Sequence, residues 1–254
     1  MQTFDTLDYM TLGIDHAPQI STHPTRAALG QAAAAWAAER IRQAIERTSN
    51  ARVMLAAAPS QAATLTALAG EPDLDWSRVE FFHMDEYVGL APEAPQAFGT
   101  WLHQNFLNKV PQATFHRIDP ESAVAHYEQV MGDEPFDIVL LGLGVNGHLA
   151  FNDPPADLDD PRSAKVVALD ETSRRQQVDE GHFARLSDVP THAVTVTIPR
   201  LLNARDVIAS VPGAPKRQAV QDTLTRPIGP DHPGTALRTH PRVRLFLDVE
   251  SDPR

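Results

Sequence analysis

The chain has 254 residues, 42% of them hydrophobic, and its 22 basic and 33 acidic side chains give a formal net charge of −11. That length suffices for one sizeable domain, and the acidic balance argues against nucleic-acid and anionic-membrane partners. No cysteine is present, which excludes disulfides, thiolate catalysis and thiolate metal sites. An acidic start without a long apolar run predicts neither a signal peptide nor a membrane span, so we expect a cytoplasmic protein.

Helical and strand-like segments alternate along the chain. Helical periodicity predicts helices at residues 25–47, in a stretch ending near 69, and at 96–110, 122–132 and 216–224. Short apolar runs predict strands at residues 51–57, 79–84, 136–143, 165–169, 192–198, 207–211 and 243–247. This alternation predicts an α/β fold with a doubly wound, mainly parallel, Rossmann-like sheet and helices on both faces, with ligands bound beyond the carboxyl ends of the strands.

We interpret the chain as a single domain in which residues 1–24 form an N-terminal extension. Proline interrupts the weak periodicity of those first residues. The segment 154–190 is rich in charge and proline and is long enough to include a mobile lid.

The segment 140–155 is the strongest candidate for a site. A buried strand is followed by the sequence Gly-Leu-Gly-Val-Asn-Gly-His over residues 142–148, and Asp153 comes shortly after. Gly144 and Gly147 let a ligand approach the backbone, and His148 is of the residue type best suited to proton transfer. Paired with Asp153, His148 could move a proton on or off a sugar oxygen. The alternative is an ordinary tight turn whose histidine lies beside a helix cap.

Asp85 and Glu86 directly follow the apolar run 79–84. A carboxylate held at the edge of a sheet is partly desolvated, which raises its pKa toward a value useful for proton abstraction. We therefore predict Asp85 as a general base and Glu86 as a neighbouring substrate contact. The alternative is that an acid in this position caps the next helix.

Two helix starts could bind an anionic group. The segment 57–61, Ala-Ala-Pro-Ser-Gln, could present backbone N–H groups together with Ser60 and Gln61, and Lys216 begins another helix. Arg174 in the lid segment could close over a phosphate with a bidentate grip. Each feature is also compatible with an ordinary helix cap or a solvated charge.

Metal and nicotinamide sites are not indicated. The histidines are scattered, and none forms an i, i+4 pair with an intervening glutamate. The glycine-rich segment lies too far along the chain for a dinucleotide fingerprint and is followed by histidine.

Two motifs in the right order resemble the glucosamine-6-phosphate deaminase and 6-phosphogluconolactonase superfamily, in its deaminase-like branch. They are Phe-His-Met-Asp-Glu-Tyr-Val-Gly-Leu at residues 82–90 and Gly-Leu-Gly-Val-Asn-Gly-His-Leu-Ala-Phe-Asn-Asp-Pro at 142–154. Segments 197–207 and 212–216 look like later parts of the same family. The match to the lactonase branch is poorer around both motifs.

The resemblance implies a cofactor-free isomerisation of an amino-sugar phosphate, coupled to loss of ammonia. By motif, Asp85 matches the base that takes the C2 proton and His148 the group that opens the sugar ring. Asp153 lies where the family usually has a glutamate that assists the histidine, and Lys216 matches a phosphate-binding lysine. Arg174 is the nearest match to the lid arginine.

The sequence departs from the family pattern at two places. Asn146 replaces a usual aspartate and can orient His148 by hydrogen bonding, and the segment 57–61 replaces the usual phosphate loop. The leading hypothesis is a glucosamine-6-phosphate deaminase-like enzyme, which could form a homo-oligomer. Lactone hydrolysis, isomerisation without deamination and a non-catalytic sugar-phosphate-binding regulator are the alternatives.

Overall fold

The computed structural model describes residues 15–122 and 124–254. Its strands, numbered in chain order, are β1 (Gln19–His23), β2 (Ala51–Leu55), β3 (Val79–His83), β4 (Asp85–Tyr87), β5 (Thr114–His116), β6 (Phe136–Leu141), β7 (Ala164–Ala168), β8 (His192–Val196), β9 (Ala204–Val211) and β10 (Val243–Asp248). Seven strands form a parallel sheet in the order β1-β10-β9-β6-β2-β3-β5, and β4-β8-β7 form a smaller antiparallel sheet. The predicted mainly parallel α/β sheet is confirmed.

Seven α-helices accompany these strands in the described residues. They are α1 (Arg26–Thr48), α2 (Ala62–Ala69), α3 (Phe98–Asn105), α4 (Val124–Met131), α5 (Glu171–Asp179), α6 (Ile198–Leu202) and α7 (Arg217–Thr225). The long helix predicted at residues 25–47 is confirmed as α1. It begins after Thr25, whose hydroxyl accepts a hydrogen bond from the Ala28 N–H, and ends at Ser49 in the left-handed conformation.

Alternation along the central strand β6 shows why helices cover both faces of the sheet. Ile138 and Leu140 belong to one buried cluster, which includes residues of α1, α2 and α3. Val139 and Leu141 belong to a second cluster, which includes residues of α4, α6 and α7. Successive side chains of a strand point to opposite faces, so each face of the sheet has its own helical layer.

Helices α1 and α2 pack at unusually close range. A Cβ added to Gly30 of α1 would lie 2.7 Å from the carbonyl carbon of Ala63 in α2. Only glycine permits this approach, which holds the start of α2 and the turn Pro59–Gln61 before it against the sheet.

The predicted N-terminal extension and the predicted lid segment both contain regular structure. Within the predicted N-terminal extension, β1 pairs with β10 at the edge of the large sheet, while residues 1–14 lie outside the described residues. The predicted lid segment contains β7 and α5. Sequence periodicity missed α5 because the residues that it buries are polar: Ser173, Gln176 and Gln177.

The chain passes from one sheet to the other between β3 and β4. Strand β3 pairs in parallel with β2, whereas β4 pairs antiparallel with β8, and only Met84 separates the two strands. This crossing places Asp85 at the junction of the two sheets. In the described part of the chain, no helix combines the length and apolarity needed to cross a membrane.

Candidate active site

An open cleft lies beyond the carboxyl ends of β2, β3 and β6. Five of the residues singled out from the sequence line it: Ser60, Asp85, Gly144, His148 and Lys216. The cleft therefore gathers side chains from four separate parts of the chain, as expected at this edge of a doubly wound sheet.

Asp85 is a buried carboxylate that lines the cleft. Only 7% of the residue is exposed, and Phe98 and Phe151 line the same cleft. Burial, and next the charge of the neighbouring Glu86, raise the pKa of Asp85 well above its usual value. Once deprotonated, such a carboxylate is a stronger base than a solvated one.

Glu86 does not line the cleft, which corrects its prediction as a substrate contact. Its carboxylate accepts hydrogen bonds from the N–H groups of Tyr87 at 3.0 Å, Phe98 at 2.9 Å and Gly99 at 2.9 Å. Its Oε2 lies 3.6 Å from the Arg117 guanidinium. The helix-capping role considered for an acid in this motif therefore belongs to Glu86 at the start of α3, while Asp85 faces the cleft.

The glycine-rich turn makes room for the ring of His148. A Cβ on Gly144 would lie 2.4 Å from ring atoms of His148, and the Gly144 N–H donates to the His148 carbonyl at 3.0 Å. Gly147 has φ +82° and donates its N–H to the Gly144 carbonyl at 3.0 Å. Gly147 closes the turn and does not line the cleft, which departs from its prediction as a substrate contact.

His148 is paired with Asp153. Nδ1 of His148 lies 3.0 Å from Oδ1 of Asp153, and the buried Ser173 hydroxyl donates to the same carboxylate oxygen. Burial raises the pKa of Asp153, but the hydrogen bond and charge of His148, with the Ser173 and Asn146 hydrogen bonds, hold it below its usual value. Because Nδ1 is engaged, Nε2 is the ring nitrogen that can exchange a proton with a ligand.

Asn146 supports this pair from behind and does not line the cleft. Its amide nitrogen donates to Asp153 Oδ1 at 3.2 Å, and its amide oxygen accepts from the His148 N–H at 3.2 Å. Asn146 thus fits the orienting role predicted for it, and it acts through other residues rather than on a ligand.

Helix α5 contributes the residues that sequence reasoning missed. Besides Ser173, it places Gln176 against the cleft, where the side-chain oxygen accepts from the Val145 N–H at 3.0 Å. The available signal was Asp170, a helix cap whose side chain accepts from the Ser173 N–H, followed by Glu171 in the first turn.

Lys216 lies on the cleft beside a second unforeseen residue, Glu180. Lys216 is 7% exposed, and its Nζ lies 3.5 Å from Oε1 of Glu180. The Gln176 amide donates to the same oxygen at 2.7 Å. Burial lowers the pKa of Lys216, and the negative charge of Glu180 opposes that change.

Gln61 and Arg174 do not take the anion-binding positions predicted for them. Gln61 is buried below the cleft, where its amide donates to the Ser210 carbonyl at 3.0 Å and to the Ser60 hydroxyl at 3.2 Å. The Arg174 guanidinium donates to the carbonyls of Leu186 at 2.8 Å and Val189 at 2.9 Å. Backbone acceptors within its own segment therefore hold Arg174 away from the cleft.

Across residues 15–122 and 124–254, no group of three or more His, Asp or Glu side chains is arranged to hold a metal ion. Near the cleft, His148 is instead paired with Asp153, and Glu180 with Lys216.

A family model described as glucosamine-6-phosphate isomerases/6-phosphogluconolactonase matches residues 24–245. The chain belongs to this family. Similar relatives include a glucosamine-6-phosphate deaminase from an Exiguobacterium strain, 36% identical over 69% of this chain and 69% of the relative. Another, from Listeria monocytogenes, is 34% identical over 74% of this chain and 81% of the relative.

Solved structures of the glucosamine-6-phosphate isomerase/6-phosphogluconolactonase family share the fold. A monomeric glucosamine-6-phosphate deaminase superimposes with a TM-score of 0.83 and 26% identity, covering 92% of this chain and 98% of that one. A 6-phosphogluconolactonase from Shewanella baltica gives a TM-score of 0.76 at 17% identity, over 93% and 99% of the two chains. The second comparison bears on the fold alone.

Proposed function

We propose that this enzyme converts an amino-sugar phosphate, such as glucosamine 6-phosphate, to a ketose phosphate and ammonia. The observation that carries the proposal is the presence in one cleft of a buried carboxylate, Asp85, and a histidine–carboxylate pair, His148 and Asp153. The names of the relatives at 34–36% identity support the same reaction.

Ring opening is assigned to His148. A cyclic amino sugar must lose the proton of its anomeric hydroxyl and gain one at the ring oxygen before the C1 aldehyde forms. Nε2 of His148 can carry that proton between the two oxygens, while Asp153 stabilises the transient imidazolium through Nδ1. Asn146 and Ser173 keep the carboxylate in place during the transfer.

Isomerisation is assigned to Asp85. In the open-chain form, the C2 hydrogen is acidic because it lies next to the C1 carbonyl. Asp85 takes it as a proton and returns a proton to C1, while one proton of the amino group passes to O1, so that C1 becomes an alcohol carbon and C2 an imine. The resulting C2 imine adds water and releases ammonia, leaving the ketose. These steps need only acids, bases and water, so we propose a cofactor-independent reaction of the hydrolase class.

Ser60, Gly144 and Lys216 are the predicted substrate contacts that lie on the cleft. We propose that Ser60 and Lys216 face the phosphorylated end of the sugar. Backbone groups at Gly144 are proposed to lie close to the reacting carbons, next to His148.

Ammonia release from glucosamine 6-phosphate, from its galacto epimer and from no substrate tests the proposal, with Asp85→Asn as the decisive variant. We expect ammonia from an amino-sugar phosphate and a fall in kcat of about 10³-fold in the variant, the scale of a lost general base. Full activity of Asp85→Asn would contradict the assignment. Hydrolysis of 6-phosphogluconolactone without ammonia release would favour the lactonase alternative, and ligand stabilisation without turnover the regulator.

Thermal unfolding of the same variant separates a catalytic from a structural role. The pKa of Asp85 is raised in the folded state, so its ionisation above the usual carboxyl pKa opposes folding. Asparagine removes that cost. We therefore expect the Asp85→Asn midpoint at neutral pH to rise by about 2–4 °C, the change that about 1 kcal/mol produces in a chain of this size. The gain should vanish at pH values where Asp85 is protonated in both states.

A further inference from the structure

The lysine of the cleft does not act as a free cation. Lys216 is the one side chain with a permanent positive charge among the residues that line the cleft in the described chain. Its Nζ lies 3.5 Å from Oε1 of Glu180, and only 9% and 21% of the two side chains are exposed. Because solvent screens such a pair weakly, the carboxylate largely cancels the field that the lysine offers to an incoming anion.

Among the described residues, no arginine and no second lysine lines the cleft to offset this cancellation. Arg174 donates to two backbone carbonyls away from the cleft. Arg26, at the start of α1, is close enough for its charge to lower the pKa of Lys216, but it is exposed and does not line the cleft. A phosphate dianion bound at Ser60 and Lys216 would thus meet a lysine whose charge is offset by the adjacent Glu180 carboxylate.

The surroundings of Glu180 suit a neutral hydroxyl group. Oε1 of Glu180 is occupied by Lys216 and Gln176, whereas Oε2 lies 4.0 Å from Nε2 of His182. Glu180 and Lys216 both line the cleft, so an acceptor and a donor stand side by side there. A sugar hydroxyl can donate to Glu180 and accept from Lys216 at the same time, whereas a phosphate dianion has no proton to donate.

We propose that the cleft also accepts unphosphorylated 2-amino-hexoses, and that Glu180 determines the preference between the hydroxyl and the phosphate at the end of the sugar. The inference rests on the proposed deaminase function, because it concerns the substrate of that reaction. The reaction itself is unchanged: Asp85 and His148 act on C1, C2 and the ring oxygen, which both kinds of sugar share.

Steady-state ammonia release from glucosamine and glucosamine 6-phosphate tests this proposal in the wild type, in Glu180→Gln and in Glu171→Gln. Glutamine at position 180 keeps an acceptor for the Gln176 amide and removes the charge. Glu171 is the matched control, since it lies on α5, is exposed and pairs with Arg175.

We expect the wild-type kcat/KM for the phosphorylated sugar to exceed that for the free sugar by less than about 100-fold. In Glu180→Gln that ratio should rise at least tenfold, through a lower KM for the phosphorylated sugar and with little change in kcat. Glu171→Gln should leave the ratio unchanged. A larger wild-type preference, or a ratio that does not move in Glu180→Gln, would overturn the proposal.

Binding of inorganic phosphate, followed by thermal shift, decides the matter independently of turnover. Glu180→Gln should bind phosphate at least tenfold more tightly than the wild type and Glu171→Gln. Equal binding by all three proteins would overturn the role of Glu180. Absence of ammonia from both sugars would count against the proposed deaminase function. The phosphate titration would still test, independently of turnover, whether Glu180 offsets the charge of Lys216.

Discussion

The residues proposed to act at the cleft form two sets that are held in different ways. The proton-transfer set, Asp85, His148 and Asp153, is fixed by backbone pairing, by a glycine turn and by hydrogen bonds from distant elements. The charge pair, Lys216 and Glu180, is held mainly by its own attraction and by one amide. Proton transfer needs atoms within about 3 Å of each other, so the positions of its residues must be fixed by the fold. Anion affinity depends on net charge, so substitution of a single charged side chain can change it.

Gly144→Ala should have the largest effect among the substitutions that test this difference. Gly144 is outside the left-handed region, so alanine fits its backbone, but the new Cβ would lie 2.4 Å from the His148 ring. We expect the ring to be displaced and kcat/KM to fall about 100-fold, the scale of an ångström-sized misplacement of a catalytic group. Ammonia release measures the effect.

Gly70→Ala is its matched control. Gly70 has φ −90°, and a Cβ there would meet its nearest neighbour, the Ala67 carbonyl oxygen, at an ordinary 3.4 Å. We expect activity close to wild type. If Gly144→Ala were equally active, the turn would tolerate displacement and the contrast between the two sets would fail.

Glu86→Gln should move the acidic limb of the pH profile. Asp85 acts as a base only when deprotonated, and its pKa is raised by burial and by the charge of Glu86. Removing that charge lowers the pKa, so activity should persist to lower pH and the ratio of kcat/KM at pH 5 to that at pH 8 should rise several-fold. Glu80→Gln, which alters a carboxylate paired with His116, serves as the control. An unmoved limb would show that Glu86 does not act on Asp85.

Ser173→Ala should have the smallest effect. Asp153 loses one hydrogen bond but keeps those from His148 and Asn146. We expect kcat/KM to fall about 2- to 3-fold, at the low end for a single hydrogen bond. A loss as large as that of Gly144→Ala would mean that the hydroxyl of Ser173 takes part in the chemistry, whereas Ser173→Thr should retain most of the activity.

The elements that sequence patterns could predict are those with apolar buried faces. The apolar run at β6 and the alanine-rich face of α1 both predict buried elements, and the structure contains both. Strand β4 was hidden because its three residues, Asp-Glu-Tyr, do not form an apolar run and pair in a separate sheet. Helix α5 was hidden because its buried side chains are hydrogen-bonding ones.

In the candidate site, too, local sequence patterns predicted some contacts and not others. His148 and Asp153 lie in one short segment, so their contact could be predicted from local sequence. Ser173 meets His148, and Glu180 lines the cleft, only because α5 folds back against it, and the start of that helix at Asp170 is the one local signal for either residue. For the anion site, the sequence pointed to Arg174 as a second cation, but Arg174 donates to backbone carbonyls. The residue that meets Lys216 is instead the acidic Glu180, which no sequence pattern indicated as part of an anion site.

The amide of Gln61 connects the turn after β2 with strand β9 and lies against the residue that follows β6. It donates to Ser60 and to the Ser210 carbonyl, and a Cβ on Gly142 would lie 2.9 Å from its nitrogen. The turn after β2 is therefore not a module that can be transplanted alone. A phosphate loop grafted from a relative onto residues 57–61 would leave the Ser210 carbonyl without its donor, so a working graft must supply a new donor at that position and keep Gly142 beside it.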